Sequence, residues 1–285
     1  MTLSEASDRL YRASIGVQKI AQINAIAAKH RPKFSAFFRN QKVLVLEKFK
    51  DYQFLFTEEY RALREEARPN EFLTTHDWDR LWNEAETKTF DNLQRTVAAV
   101  ESDGVLKGGQ QMQKMFASGH YEQGKWVENP AKFWDLKNPR AVAWFQQNGG
   151  STAYIKGIQK TTGDQIRTII TKAIDSGQSY QQTAKEISDS FDGMSRDRAQ
   201  RIAVNEATHA YENGNLMFAQ SLEDDGVEME KAWNTSEDEK VCDTCTENED
   251  AGYIPIDDPF PSGHQVPPAH LGDRCYLTYR AAQTA

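Results

Sequence analysis

The spacing of apolar positions predicts helix along most of the chain. Residues 3–28, 34–66 and 71–101 read as three helical segments. Pro32 and the pair Pro69-Asn70 separate them, because proline cannot continue a helix. Val43, Leu44, Glu47, Phe54, Leu55 and Phe56 outline one side of the second segment, and Trp78, Leu81, Trp82, Phe90 and Leu93 one side of the third. These positions read as packing, and the three segments as a bundle or an extended arm. Glycines at 104, 108, 109, 119 and 124 then interrupt the pattern, so residues 102–129 read as a loop with one short helix at 110–116.

Helical periodicity returns after residue 130. Ile166, Ile169, Ile170, Ala173 and Ile174 form one stripe, with Asp164 as its expected cap and Gly177 as its end. Ser179 and Gln182 form a capping box for the next helix, whose inner side is Tyr180, Ala184, Ile187 and Phe191. Gly193 ends it, and Ser195 is the expected cap of a long helix over 196–222. Ala199, Ala203, Glu206, Ala210, Asn213 and Met217 share one face of that helix. Glu206 and Asn213 on that face need partners if buried, and they read as a structural polar pair. Beyond it, Val227 to Trp233 alternates like a short strand. A charged turn follows at 234–239, and then a stretch holding Pro255, Pro259, Pro261, Pro267 and Pro268.

The expected fold is therefore mainly α: long N-terminal helices, and a helical C-terminal half ending in a small α+β, zinc-knuckle-like module with little strand. The expected division is a helical arm or bundle at 1–101, a Gly-rich linker region at 102–149 and a C-terminal domain at 150–285.

Composition narrows the classes. With 39% hydrophobic and 27% charged residues, the chain reads as soluble and globular. No apolar run is long enough for a membrane helix. The first residues lack the basic-then-apolar order of a secretory signal, so synthesis in a cytoplasm is expected. The net charge of −8 is uneven, since residues 221–260 hold fourteen Asp and Glu against two Lys. From Lys29 to Lys50 the balance is basic. Lys33, Arg39 and Lys42 there are candidate contacts for a partner or DNA, although their interleaving with Phe34, Phe37 and Phe38 also describes an ordinary solvated helix face. No phosphate-binding glycine fingerprint occurs in a strand-to-helix context.

All three cysteines lie in the last 44 residues. An odd, clustered set is not a disulfide framework and points to metal. Cys242-x2-Cys245 and His270-x4-Cys275 make a Cys3His set of the kind that closes a tetrahedral structural zinc site. Asp273 in place of His270 or Cys275, His264 as a fourth ligand, or no metal at all remain alternatives. The intervening segment is too rich in prolines and acids to build a core of its own, and a metal would supply the cross-link. The zinc deaminase signature is not met: Val241 precedes the C-x2-C pair where proline is required, and His209 and Glu212 have the wrong spacing.

Four blocks in this half resemble the phage Mu F-like minor head protein family, also called the phage head morphogenesis domain. They are Arg198-Ala-Gln-Arg-Ile-Ala-Val-Asn-Glu206 followed by Ala210, Asn213 and Gly214; Lys231-Ala-Trp233-Asn-Thr-Ser236-Glu-Asp238; Val241-Cys242-Asp-Thr-Cys245; and Asp258-Pro-Phe260-Pro-Ser-Gly263 running into Pro267-Pro-Ala-His270-x4-Cys275. Two departures stand out. Val204 and Asn205 replace the family's usual Arg-Thr, and Asp273 stands where the first of two closing cysteines would be. The resemblance covers about 150–280. It implies a non-enzymatic minor capsid component of a tailed phage, at the portal vertex or head interior of the virion and in the host cytoplasm during assembly. The portal protein, the major capsid protein or both would be its partners, with packaged DNA a further one, and neither a membrane nor a small-molecule substrate is expected. Some relatives carry ADP-ribosyltransferase-like toxin domains, which makes the E-x-E of Glu237 and Glu239 an enzymatic alternative. A DNA-binding head factor is the other alternative.

Overall fold

The structure is a computed structural model that describes residues 3–60, 62, 75–116, 120–122, 125–127, 134–148 and 152–282. Pro69-Asn70, Gly119, Gly124 and the stretches 63–66 and 71–74 of the expected helices lie outside the described residues. The chain is mainly helical, as its periodicity predicts, with a small three-stranded sheet near its end. It clusters into two compact units. One comprises Met1–His30, Ala98–Gly149 and Arg201–Ala285, and the other Arg31–Val97 and Gly150–Gln200.

The first helix, α1, spans Leu3–Phe49 and runs through Pro32 instead of ending there. Two features make the proline tolerable. Ala28 and Pro32 are both exposed, so the carbonyl that loses its helical donor can be solvated. Buried side chains also recur at helical spacing on either side of it, with Ile23, Ile26 and Ala27 before and Phe34, Phe37 and Phe38 after. A 3-10 segment, Lys50–Phe56, follows and changes the register. Val45, Phe49, Tyr52 and Leu55 are buried, while Val43 and Phe54, expected on the inner side, are 62% and 51% exposed. Helix α2 spans Thr75–Phe116, and the hairpin strands β1 (His120–Glu122) and β2 (Lys125–Val127) pair antiparallel.

In the second unit, α2 buries Trp78, Leu81 and Trp82, the two tryptophans stacked at 5.8 Å. They share a core with Ile166, Ile170 and Ile174 of α4 (Thr152–Asp175) and with Ile187 and Phe191 of α5 (Tyr180–Gly193). Asp164 is not a cap. It lies within α4 and pairs with Lys160 one turn earlier, because the helix already starts at Thr152. Gly177 does end the helix, at φ +69°, with the Gln178 N–H on the Ala173 carbonyl and the Gly177 N–H on that of Ile174. The Ser179–Gln182 capping box forms as expected. Ser195 does not cap the next helix: residues Met194–Arg198 form a π turn that passes into it, and the Ser195 hydroxyl donates to the Asp192 carbonyl.

In the first unit, residues 102–116 are the last turns of α2, not a loop. Their glycines serve a close helix crossing with α6 (Ala199–Glu223). A methyl group built on Gly108 would lie 2.0 Å from the Tyr211 carbonyl oxygen, and one on Gly214 2.4 Å from that of Val105. Glycine at this density reads as a breaker in a sequence window, but a pair of backbones in contact needs it. The short helix α3 (Pro139–Asn148) and Trp134 pack on the same core, and the Trp134 indole donates to the Val105 carbonyl at 3.1 Å.

The sheet has β3 (Met229–Asn234) at its centre, antiparallel to β4 (Tyr253–Pro255) and β5 (Tyr276–Ala281). Helix α7 (Asp243–Asp250) lies between β3 and β4 in the chain. The proline-rich segment is not coreless: Ile256, Phe260 and Val266 are buried in the cluster that also holds Met217 and Phe218 of α6. Its apolar residues are too sparse to show a period, yet they lean on a helix already present. A fully buried ion pair connects these parts. The Lys19 ammonium of α1 lies 2.9 and 3.2 Å from the carboxylate of Glu212 on α6, and both side chains have no exposed surface. Burial pulls Lys19 down and pushes Glu212 up, and each opposes the other's shift.

The crossing predicts opposite outcomes for two glycine-to-alanine changes. Gly108→Ala should destabilise by about 1–3 kcal/mol, because its methyl meets backbone. Gly157→Ala, on an open face of α4 with nothing within 4 Å, should stabilise by about 0.5–1 kcal/mol. Chemical denaturation of the two variants checks this; equal effects would contradict the crossing.

Candidate metal centre

Cys242 sits at the start of α7 with extended backbone, φ −88° and ψ 161°. Its carbonyl accepts the N–H groups of Cys245 and Thr246, each at 3.0 Å. The first helical turn therefore folds back so that both sulfurs of the C-x2-C pair face the same point. The second half comes from a tight loop leading into β5. The Asp273 N–H donates to the His270 carbonyl at 3.1 Å, and Gly272 takes φ +87°, the conformation the third position of a type II turn requires. This turn lifts His270 toward α7. Its Nε2 lies 3.2 Å from the Cys242 sulfur and 3.5 Å from that of Cys245. The Nδ1 is 3.3 Å from the Leu271 carbonyl, the arrangement that leaves Nε2 as the ligand nitrogen.

Two overlapping groups have ligand atoms within 4.8 Å of one another: Cys242, Cys245 and His270, and Cys245, Asp273 and Cys275. Cys245 is common to both, so Cys242, Cys245, His270 and Cys275 are close together and can hold a metal. The three cysteines form no disulfide. The thiols differ in environment. The Cys245 N–H and, further down, His270 lower Cys242, whereas burial and the nearby Asp273 push Cys245 up to about 12. Cys275 is raised further still by burial and the same carboxylate. His270 is raised on balance: burial opposes the charge, but the Leu271 carbonyl, Asp273 and Cys242 outweigh it. Two of the three thiols, Cys245 and Cys275, have their charged forms disfavoured by burial, a strain that a divalent cation would relieve. Thiolate sulfur and imidazole nitrogen are the donor types that a zinc-type cation takes.

The motif residues around the cluster brace it. Lys231 directs its ammonium at Gln265 and over the Phe260 ring at 5.3 Å, and burial lowers it to about 8. Trp233 packs edge-on to Phe260 at 5.1 Å. The backbone N–H and hydroxyl of Thr235 both donate to Glu249 of α7, each at 2.8 Å. Asp238 takes two 2.6 Å bonds from Arg274, the neighbour of Cys275. In the other unit, Arg198 donates to the Thr162 hydroxyl and the Ile158 carbonyl, each at 2.9 Å.

The remaining sequence candidates are spread apart. His264 bonds Ser262 at 3.0 Å and is in neither ligand group. Glu206 is buried and accepts from Asn205 at 3.2 Å, while the half-buried Asn213 donates to the His209 carbonyl at 2.7 Å. Lys33 and Arg39 are exposed on α1, Lys42 pairs with Asp192 at 2.8 Å, and Phe34, Phe37 and Phe38 are buried. Glu237 is tied to Arg9 and has a left-handed backbone at φ +51°. The Lys19–Glu212 pair escaped the sequence reading. Its signal was slight: Lys19 falls four residues from both Ile15 and Ile23 on an apolar stripe.

Residues 164–278 match the model of the family described as Phage Mu protein F like protein. The match runs from within α4 to within β5, and all four resembling blocks lie inside it. No curated protein and no solved structure matches the chain.

A purified sample should contain about one zinc per chain by elemental analysis. Cys242→Ser should lose it and expose residues 225–280 to limited proteolysis. Retained metal in that variant would contradict the assignment.

Proposed function

We propose that this chain is a minor head protein of a tailed bacteriophage, acting structurally in head assembly and using residues 150–285 as its head-morphogenesis domain. The observation that carries this reading is the ordered set of four blocks within the matched residues 164–278. Their motif side chains are occupied in bracing a Cys/His cluster: Thr235 with Glu249, Asp238 with Arg274, Trp233 with Phe260. A side chain so engaged serves shape, and a shape held by metal suits a docking module. Zinc on Cys242, Cys245, His270 and Cys275 is its structural cofactor in this proposal. The partners are the portal protein, the major capsid protein or both, and the protein resides in the virion, at the portal vertex or inside the head.

The enzymatic alternative has less support, because Glu237 is engaged by Arg9 and the E-x-E lies in an acidic turn. Contact with packaged DNA through Lys33, Arg39 and neighbouring cations is a secondary role, motivated by their exposure on α1.

Procapsids purified from cells that make or lack the portal protein test the reading. The protein should co-purify with procapsids, and loss of portal should reduce its content several-fold if the portal is its anchor. Its absence from both particles and from free portal would sink the proposal.

A further inference from the structure

We propose that Asp273 is a positioning residue of the Cys/His centre and not one of its ligands; this rests on reading the cluster as a metal site. Both carboxylate oxygens are already engaged by backbone. Oδ1 accepts the Cys275 N–H at 2.7 Å, and Oδ2 accepts the Ala269 N–H at 2.8 Å. The residue's own N–H closes the turn on the His270 carbonyl. One buried side chain thus grips the residue before His270 and Cys275 itself, the two ends of the H-x4-C segment. That segment has no ladder to hold it, since β5 begins only at Tyr276. The grip sets the spacing between imidazole and thiolate.

The competing arrangement is a carboxylate ligand, since Asp273 groups with Cys245 and Cys275 within 4.8 Å. Two arguments decide against it. Cys242, Cys245, His270 and Cys275 already supply the four donors a tetrahedral structural site takes. A dication with three thiolates carries one net negative charge, and a carboxylate joining all three would raise that to two in a partly buried setting. Two backbone N–H donors instead compensate the carboxylate where it stands.

Cobalt(II) loading of the full chain tests the proposal. In the wild type, the thiolate-to-cobalt absorption per bound ion should match three coordinated sulfurs. Asp273→Asn keeps one oxygen to accept but not two, so it should show the same absorption per ion and the same ligand-field bands, with affinity weakened roughly ten- to a hundredfold. Changed bands, or loss of binding as complete as in Cys242→Ser, would mean that Asp273 ligates. Unchanged affinity would remove the grip. Per-residue hydrogen exchange in the metal-loaded wild type does not depend on the variant folding. The Ala269 and Cys275 amides should be protected, and exchange at the rate of the exposed Leu271 would refute the clamp. A wild type that binds no cobalt would overturn the underlying metal reading instead, and that result is seen before any variant is made.

Discussion

Lys19 and Glu212 meet 2.9 Å apart with neither side chain open to solvent. Each charge has given up its hydration, so neither can remain ionised inside without the other. That constraint fixes the azimuth of α1 against α6 far more narrowly than an apolar contact would, since a rotated helix would strand a charge. The backbone of Leu277, two residues past Cys275, also favours the charged carboxylate. The aromatic rings of Tyr211 and Tyr279 stand 6.0 and 5.2 Å from the ammonium. One pair therefore connects an N-terminal helix, the central helix and the strand that delivers a metal-ligand candidate. The glycine crossing of α2 on α6 completes the frame from another side of the same helix.

On that frame, the Cys/His module divides its stability between two sources. Ile256, Phe260 and Val266 draw on the core around α6, while the cluster itself is framed by polar bonds at its edges: Thr235 to Glu249, Arg274 to Asp238, and Asp273 to its own loop. The apolar residues place the segment roughly, and the convergence of three thiols and an imidazole specifies its ends. A metal at that point would act as a staple between the start of α7 and the start of β5, closing a loop of chain that has little regular structure.

Much of this was legible in the sequence, for identifiable reasons. The α5 capping box and the Gly177 stop depend on neighbours a few residues away, so a local window contains all the information. The C-x2-C and H-x4-C spacings are local too, and each is realised by a single turn. Misreadings arose where distant chain decides. Pro32 and Gly108-Gly109 look like breakers until the opposite surface is known. In one case packing on both sides carries the helix through, and in the other a facing backbone requires the missing side chain. Lys19 was hidden because its partner lies 193 residues away. Asp273 was legible as a departure from a family pattern, but its two backbone partners emerge only once the loop is folded.

The most direct test of the central claim is X-ray absorption at the zinc edge on the purified full chain. A Cys3His staple predicts a first shell of three sulfurs at about 2.3 Å and one nitrogen at about 2.0–2.1 Å. A shell made only of nitrogen and oxygen, or a protein without bound zinc, would contradict the account.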